Sequence, residues 1–187
     1  MKKTTRNYFW ILAANFLLLL AVSVIWQYKV VAVKAGPTAV PGMIIVDPNP
    51  IPDVAYRADL KNAASLHNDK GQWLVVNLWA SWCGPCIVEM PSLQQFADDY
   101  KGRGLKVIAI SLDVDAPTVA RAIKTHNFGP FANNWDDTGA VMKAFDPPAM
   151  PMTYILDPSG AIRVVIAGQQ DWANPALRQV IDSLIKS

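Results

Sequence analysis

A buried strand that runs into a Cys-x-x-Cys pair at the head of a helix constrains this chain more than any other feature. Trp73-Leu74-Val75-Val76-Asn77-Leu78-Trp79 is a short, nearly continuous apolar run, the pattern of a strand covered on both faces. Trp82-Cys83-Gly84-Pro85-Cys86 follows at once, and a helical pattern continues from Cys83 to about Tyr100, with Pro91 as an expected kink. Strand, Cys-x-x-Cys, helix is the setting of a redox dithiol rather than of a chance pair. The nucleophile of disulfide exchange is a thiolate. A helix N-terminus offers unpaired N–H groups and a partial positive charge that stabilise one. Cys83, at the helix start, is therefore the expected attacking and more exposed sulfur. Cys86, one turn further in, is the expected resolving sulfur. Pro85 fixes φ near the helical value and removes a donor that the first turn leaves unused.

Other readings of the pair are weaker. The 187-residue chain holds only these two cysteines. A structural disulfide across so short a loop stabilises little. A zinc site needs two more ligands, and only His67 and His126 are on offer, at no finger-like spacing. Both histidines read better as surface or capping residues. An inert reduced pair has no reason to sit at a helix start. Met43, Met90, Met142, Met150 and Met152 raise Cu(I) ligation, since thioethers suit it. They are scattered, however, and Met is a common core filler. No metal and no cofactor beyond a redox-active Cys83–Cys86 disulfide is expected.

The chain divides by composition. It is 52% hydrophobic and 17% charged, apolar for a soluble domain, and much of the excess lies in residues 1–33. From Tyr8 to Tyr28 there is no Asp, Glu, Lys or Arg, with aromatic residues at both ends. About 20 such residues cross a hydrocarbon core of roughly 30 Å. The run exceeds the roughly 7–15 residues of a signal-peptide core, so an uncleaved anchor is expected. The alternative is a cleaved signal peptide, with Val33-Lys34-Ala35 as a poor cleavage site. Lys2, Lys3 and Arg6 favour a cytoplasmic N-terminus, against Lys29 and Lys34 on the far side. Residues 34–55 carry Pro37, Pro41, Pro48, Pro50 and Pro52, and are expected to resist helix and sheet and act as a semi-stiff linker. Residues 56–187 form the globular domain. A net charge of +2, from 17 basic and 15 acidic residues with no basic run after Lys34, argues against nucleic acid as a partner.

Within that domain Leu105–Ile110 reads as a second buried strand, Pro117–Thr125 as a helix, and Gly139–Phe145 as a shorter helical piece. Met152–Leu156 and Ile162–Ile166 read as strands joined by the turn Asp157-Pro158-Ser159-Gly160. Leu177, Val180, Ile181, Leu184 and Ile185 fall at helical spacing in a closing helix from Pro175 to Ile185. Alternating strands and helices, with one hairpin, imply an α/β sandwich.

Asn77-Leu78-Trp79-Ala80-Ser81-Trp82-Cys83-Gly84-Pro85-Cys86, followed by Glu89-Met90-Pro91, resembles the TlpA/ResA branch of the thioredoxin superfamily. The likeness runs from about Pro52 to the C-terminus. It includes Met150-Pro151-Met152-Thr153-Tyr154-Ile155-Leu156-Asp157 and Gly168-x-x-Asp171-Trp172. The resemblance implies a thioredoxin-like sandwich with a central mixed sheet, preceded by one transmembrane helix. Residues 114–145 would be the family's inserted helix and strand, and Met150–Pro151 a cis peptide facing the cysteines. Two departures stand out. Ordinary thioredoxins carry a buried Asp where this chain has Asn77; in the TlpA/ResA branch a Glu takes that place, and Glu89 matches it. A buried carboxylate titrates high and can move the proton of the resolving thiol; a surface Glu favoured by the helix dipole is the alternative. The acidic Gly-Val-x-Gly-x-Pro-Glu stretch of the CcmG branch has no counterpart, and Ala149-Met150 stands there instead.

By that resemblance the protein is a bacterial inner-membrane thiol–disulfide oxidoreductase, single-pass, with its domain in the periplasm. Its partners would be protein disulfides in cytochrome c or oxidase maturation, and a membrane thiol relay of the DsbD/CcdA type would supply electrons. The Gly-Pro dipeptide is that of thioredoxin, at roughly −270 mV against about −120 mV for the oxidant DsbA, which favours a reductase. Trp82, Gly84, Pro85, Met150 and Pro151 are the expected substrate-docking residues. The competing class is a metallochaperone-like binder that delivers copper with the same two cysteines.

Overall fold

The computed structural model describes residues 40–186. The expected membrane segment lies outside them. Among the described residues no helix is long and apolar enough to cross a membrane.

Alternation along the central strand decides the layers. All seven residues of Trp73–Trp79 are buried. Val75 and Trp79 face one apolar cluster, and Leu74, Val76 and Leu78 face the other. Successive side chains of a strand point to opposite faces, so a strand buried on both must be apolar throughout. Asn77 is the one polar residue in the run, and it falls on the Val75/Trp79 face.

The strands are β1 (Met43–Pro50), β2 (Ala55–Ala58), β3 (Asn62–Ser65), β4 (Trp73–Trp79), β5 (Leu105–Ser111), β6 (Asn134–Trp135), β7 (Met152–Leu156) and β8 (Ala161–Ala167). They make one eight-stranded sheet in the order β1-β8-β7-β4-β5-β6-β2-β3. β4, β5 and β6 are parallel neighbours, and the other pairings are antiparallel, so the sheet is mixed as expected. The helices are α1 (Gly84–Tyr100), α2 (Ala116–His126), α3 (Ala140–Phe145) and α4 (Pro175–Ile185). Leu93 and Phe96 of α1, Val119 of α2 and Leu177 and Ile181 of α4 join the Val75/Trp79 cluster. Val141 and Phe145 of α3 join the opposite one. Burying an aromatic such as Phe96 here stabilises the layer by roughly 2–3 kcal/mol.

The Pro-rich stretch departs from its expected spacer role. Residues 43–50, inside the 34–55 linker, form β1 and pair antiparallel with β8. Proline is tolerated because β1 is an edge strand, and the register shifts between Ile45 and Asn49, just where Pro48 interrupts the ladder. Gly42 anchors the strand's start. Its φ is +75°, its carbonyl accepts Ala167 N–H at 2.9 Å, and a Cβ there would run into Ala167 O. β2 and β3 are further strands that the pattern did not signal. α1 runs through Pro91 unbroken. The region 114–145 does carry an extra helix and strand, α2 and β6, together with α3.

Candidate active site

β4 leaves the sheet at Trp79 and turns sharply into α1. Cys83 N–H donates to Ala80 O at 3.1 Å, closing that turn. Cys83 is the N-cap of α1, with extended backbone at φ −89° and ψ 96°. Its sulfur accepts the Cys86 backbone N–H at 3.3 Å, the capping bond that an N-cap side chain makes to an orphan donor of the first turn. No acidic residue lies in that turn, so nothing offsets the positive end of the dipole at the sulfur. Cys83 and Cys86 are joined in a disulfide, with their Cα atoms 5.3 Å apart. Cys83 is 5% exposed and Cys86 0%, so Cys83 is the more accessible sulfur although both are buried.

Glu89 lies three residues beyond Cys86 on the inward face of α1 and is 2% exposed. Burial pushes its carboxyl up to about 7, and the Gln170 N–H and the Asn77 amide keep it from rising further. Oε2 accepts Gln170 N–H at 2.9 Å, and Oε1 accepts Asn77 Nδ2–H at 2.7 Å. The buried indole N–H of Trp172 also lowers the carboxyl, but no hydrogen bond closes between them. Asn77 Nδ2 also donates to Thr153 Oγ1 on β7 at 3.0 Å, while Asn77 Oδ1 has no partner among the described residues. The 168–172 segment is latched onto α1 a second time. Trp172 N–H donates to Ser92 Oγ at 3.2 Å, and Ser92 Oγ–H donates to Glu89 O at 2.9 Å. Glu89 is thus a core carboxyl, not the dipole-favoured surface residue.

Met150–Pro151 is a cis peptide bond, and Pro151 O accepts Gly168 N–H at 3.0 Å. Met150 packs against the cluster that contains both cysteines. Trp82 is 71% exposed beside Cys83, and Gly84 and Pro85 are exposed on the outer face of α1. The methionines do not converge: Met90 and Met152 are buried on opposite faces of the sheet, and Met142 is exposed. His67 lies beside Asp53, and His126 stacks on Phe128.

Sequence reasoning passed over Asp113. Its buried carboxylate, just past the end of β5, accepts Ser81 N–H at 2.9 Å, Ser81 Oγ–H at 2.7 Å and Ser111 Oγ–H at 2.8 Å. It therefore fixes the chain two residues before Cys83. The one available signal was an acidic residue at the C-terminal end of a parallel strand, where such sheets build their sites.

A sheet of this order, with a bonded Cys-x-x-Cys pair heading the first helix after its central strand, defines a thioredoxin-type dithiol–disulfide protein. The chain belongs to the AhpC/TSA family, whose family model matches residues 48–165. The likeness to the TlpA/ResA type holds as well. The thiol-disulfide oxidoreductase ResA of Oceanobacillus iheyensis is 32% identical over 108 residues, covering 58% of this chain and 56% of that protein. The chain therefore spans little more than half the length of that relative. A thiol:disulfide interchange protein of the thioredoxin family from Chlorobium tepidum superposes with a TM-score of 0.60 at 24% identity, over 72% of this chain and 97% of that one. StoA from Bacillus subtilis does so with a TM-score of 0.57 at 24% identity, over 77% and 97%. At those identities the two structures establish the fold.

Proposed function

We propose that the protein is an extracytoplasmic thiol–disulfide oxidoreductase that reduces disulfides in other proteins. The observation that carries the reading is Cys83 Sγ at the N-cap of α1, accepting a backbone N–H, with Cys86 buried one turn behind it. The same N–H and helix dipole favour a thiolate at Cys83. In the reduced protein that thiolate attacks a substrate disulfide and forms a mixed disulfide, releasing one substrate thiol. Cys86, deprotonated in turn, attacks Cys83 Sγ and releases the second substrate thiol. Two electrons pass to the substrate, and the Cys83–Cys86 disulfide is left behind. Glu89 receives the Cys86 proton, and a carboxyl poised near neutral pH is matched to that work.

The ResA relatives bear the name of thiol-disulfide oxidoreductases, which supports the reaction class. The Gly84-Pro85 dipeptide supports the reducing direction. By resemblance the domain is tethered to the inner membrane by residues 1–33 and draws electrons from a DsbD/CcdA-type relay. Its substrates by the same resemblance are cysteines of apocytochrome c or of an oxidase subunit. Substrate polypeptide docks over exposed Trp82 and Pro85 and beside Met150–Pro151. The test is a Cys86→Ser variant of the full chain, in which the mixed disulfide cannot be resolved. Partners linked to Cys83 are then identified by mass spectrometry, and the parent's potential is titrated against glutathione. A captured cytochrome or oxidase subunit and a potential toward roughly −270 mV are expected. Capture only by Cys83→Ser would reverse the roles of the two cysteines. A potential near about −120 mV would overturn the reducing direction.

A further inference from the structure

The hydrogen bonds around Glu89 suit only one of its two protonation states. Both carboxylate oxygens face donors: Gln170 N–H at 2.9 Å and Asn77 Nδ2–H at 2.7 Å. That arrangement serves an ionised carboxylate, which accepts only. A protonated Glu89 would aim its O–H at a hydrogen. Gln170 cannot yield, because its donor is a backbone amide. Asn77 can. Its amide oxygen and nitrogen are nearly equal in size, and a half-turn about the last side-chain bond exchanges them.

We propose that Asn77 is a rotating amide that turns over each time Glu89 gains or loses its proton, and so keeps the buried carboxyl hydrogen-bonded in both states, more strongly in the ionised one. The inference rests on the proton-carrying role given to Glu89 above. The exchange of bonds balances. In the ionised state Nδ2 donates to Glu89 Oε1 and to Thr153 Oγ1, and Asn77 Oδ1 is left without a partner among the described residues. When Oε1 takes a proton both bonds break and the amide turns. Oδ1 then accepts from the new Glu89 O–H and from the Thr153 hydroxyl, which reverses by rotation. Two bonds are lost and two formed, and one buried polar atom is unpartnered in each state, the oxygen first and the nitrogen after.

The surroundings leave Asn77 as the one group that can respond. β4 offers Asn77, β7 offers Thr153, and the 168–172 segment offers the Gln170 backbone and the Trp172 indole. α1 itself offers only the bonded cysteines and Ser92, whose hydroxyl is engaged with Glu89 O. No charged side chain among the described residues acts on Glu89. Asp at position 77 could not do this, since a carboxylate has no donor to offer the ionised Glu89. Asn77 is accordingly a positioning residue for the proton step. It touches neither sulfur's substrate nor the transferred electrons.

The test is a pH titration of the full chain in its disulfide form, where the cysteines carry no titrating proton. The Asn77 side-chain amide and the Glu89 carboxyl carbon are followed by NMR from pH 4 to 10. Both signals are expected to move with one midpoint. The Glu89→Gln variant provides a fixed reference: its Nε2 donates like the protonated acid while its Oε1 accepts Gln170 N–H. Its Asn77 signals should sit at the parent's low-pH position at every pH. Asn77→Leu, which removes the donor to the carboxylate, should raise the Glu89 midpoint by about one pH unit. A Glu89 that titrates while the Asn77 amide stays still overturns the rotating amide and leaves the proton-carrying role standing. A Glu89 that does not titrate at all overturns both.

Discussion

Ser81 gives both its backbone N–H and its hydroxyl to the carboxylate of Asp113, at 2.9 and 2.7 Å, across 32 residues of sequence. Ser81 begins the turn that delivers Cys83, and Asp113 follows β5, the parallel neighbour of β4. The end of one central strand thereby fixes the exit of the other. Asp113 O also accepts the Trp135 indole N–H at 2.8 Å, which ties the inserted strand β6 to the same point.

Replacing Asp113 with Ala strands three donors in a site only 5% exposed. A buried group that loses its partner costs roughly 1–3 kcal/mol, and part of this site can rehydrate. Asp113→Ala is therefore expected to destabilise the domain by about 3 kcal/mol, read from urea unfolding of the disulfide form. Asp113→Asn, which still accepts at one oxygen, should lose less. Equal stability of Ala and parent would mean that the carboxylate does not hold the turn.

Trp82 is the converse case: 71% exposed and next to Cys83. Substitutions at such positions change stability by no more than about 0.5 kcal/mol. Trp82→Ala should nonetheless raise KM for a protein disulfide severalfold, because the indole offers a large apolar contact to a docking chain. The rate on a small disulfide such as oxidised glutathione should stay at the parent's value. A matching loss on both substrates would point to a disturbed Cys83 rather than to docking.

Legibility in the sequence followed the length and polarity of each element. β4, β5, β7 and β8 are buried runs of five to seven residues, and α1 and α4 carry apolar positions at helical spacing, so each could be placed before any coordinates. β1 was hidden by Pro48 and Pro50, which an edge strand tolerates. β3 reads Asn62-Ala63-Ala64-Ser65, with no alternation to detect. The turn that joins β2 and β3 puts Asp59 and Leu60 at positive φ, without the Asn-Gly pair that signals such turns. In the site, spacing exposed Cys83 and Cys86, and family likeness exposed Glu89. Asn77 drew notice only as a departure from ordinary thioredoxins. The grip of Gln170 on Glu89 could not be read at all, because it is a backbone N–H 81 residues away.

Glu89→Gln should slow protein disulfide reduction at neutral pH by roughly a hundredfold, the usual worth of one positioned acid or base. The amide keeps the shape and the Gln170 bond but carries no proton. The limb of the rate–pH profile with a midpoint near 7 should vanish with it. An unchanged profile between pH 5 and 9 would remove Glu89 from the proton path.

The same carboxyl makes the fold weaker as pH rises, opposite to the behaviour of a salt-bridged acid. Glu89 ionises at about 7 in the folded protein against 4.5 for the free side chain. Between those values the folded state holds a proton that the unfolded chain has released. Stability is therefore full below about pH 4.5 and falls as pH rises through about 7, because the native state binds the extra proton. At 1.36 kcal/mol per pH unit the full span is about 3 kcal/mol, an upper figure for a group this deeply buried. Glu89→Gln has no such proton and loses the slope. The variant should match the parent at pH 4 to within about 1 kcal/mol, the scale of one hydrogen bond. It should exceed the parent by about 2–3 kcal/mol at pH 8, measured by denaturant unfolding of both disulfide forms. A difference that stays flat from pH 4 to 8 would mean that Glu89 binds its proton alike in the folded and unfolded chain, and that burial does not govern it.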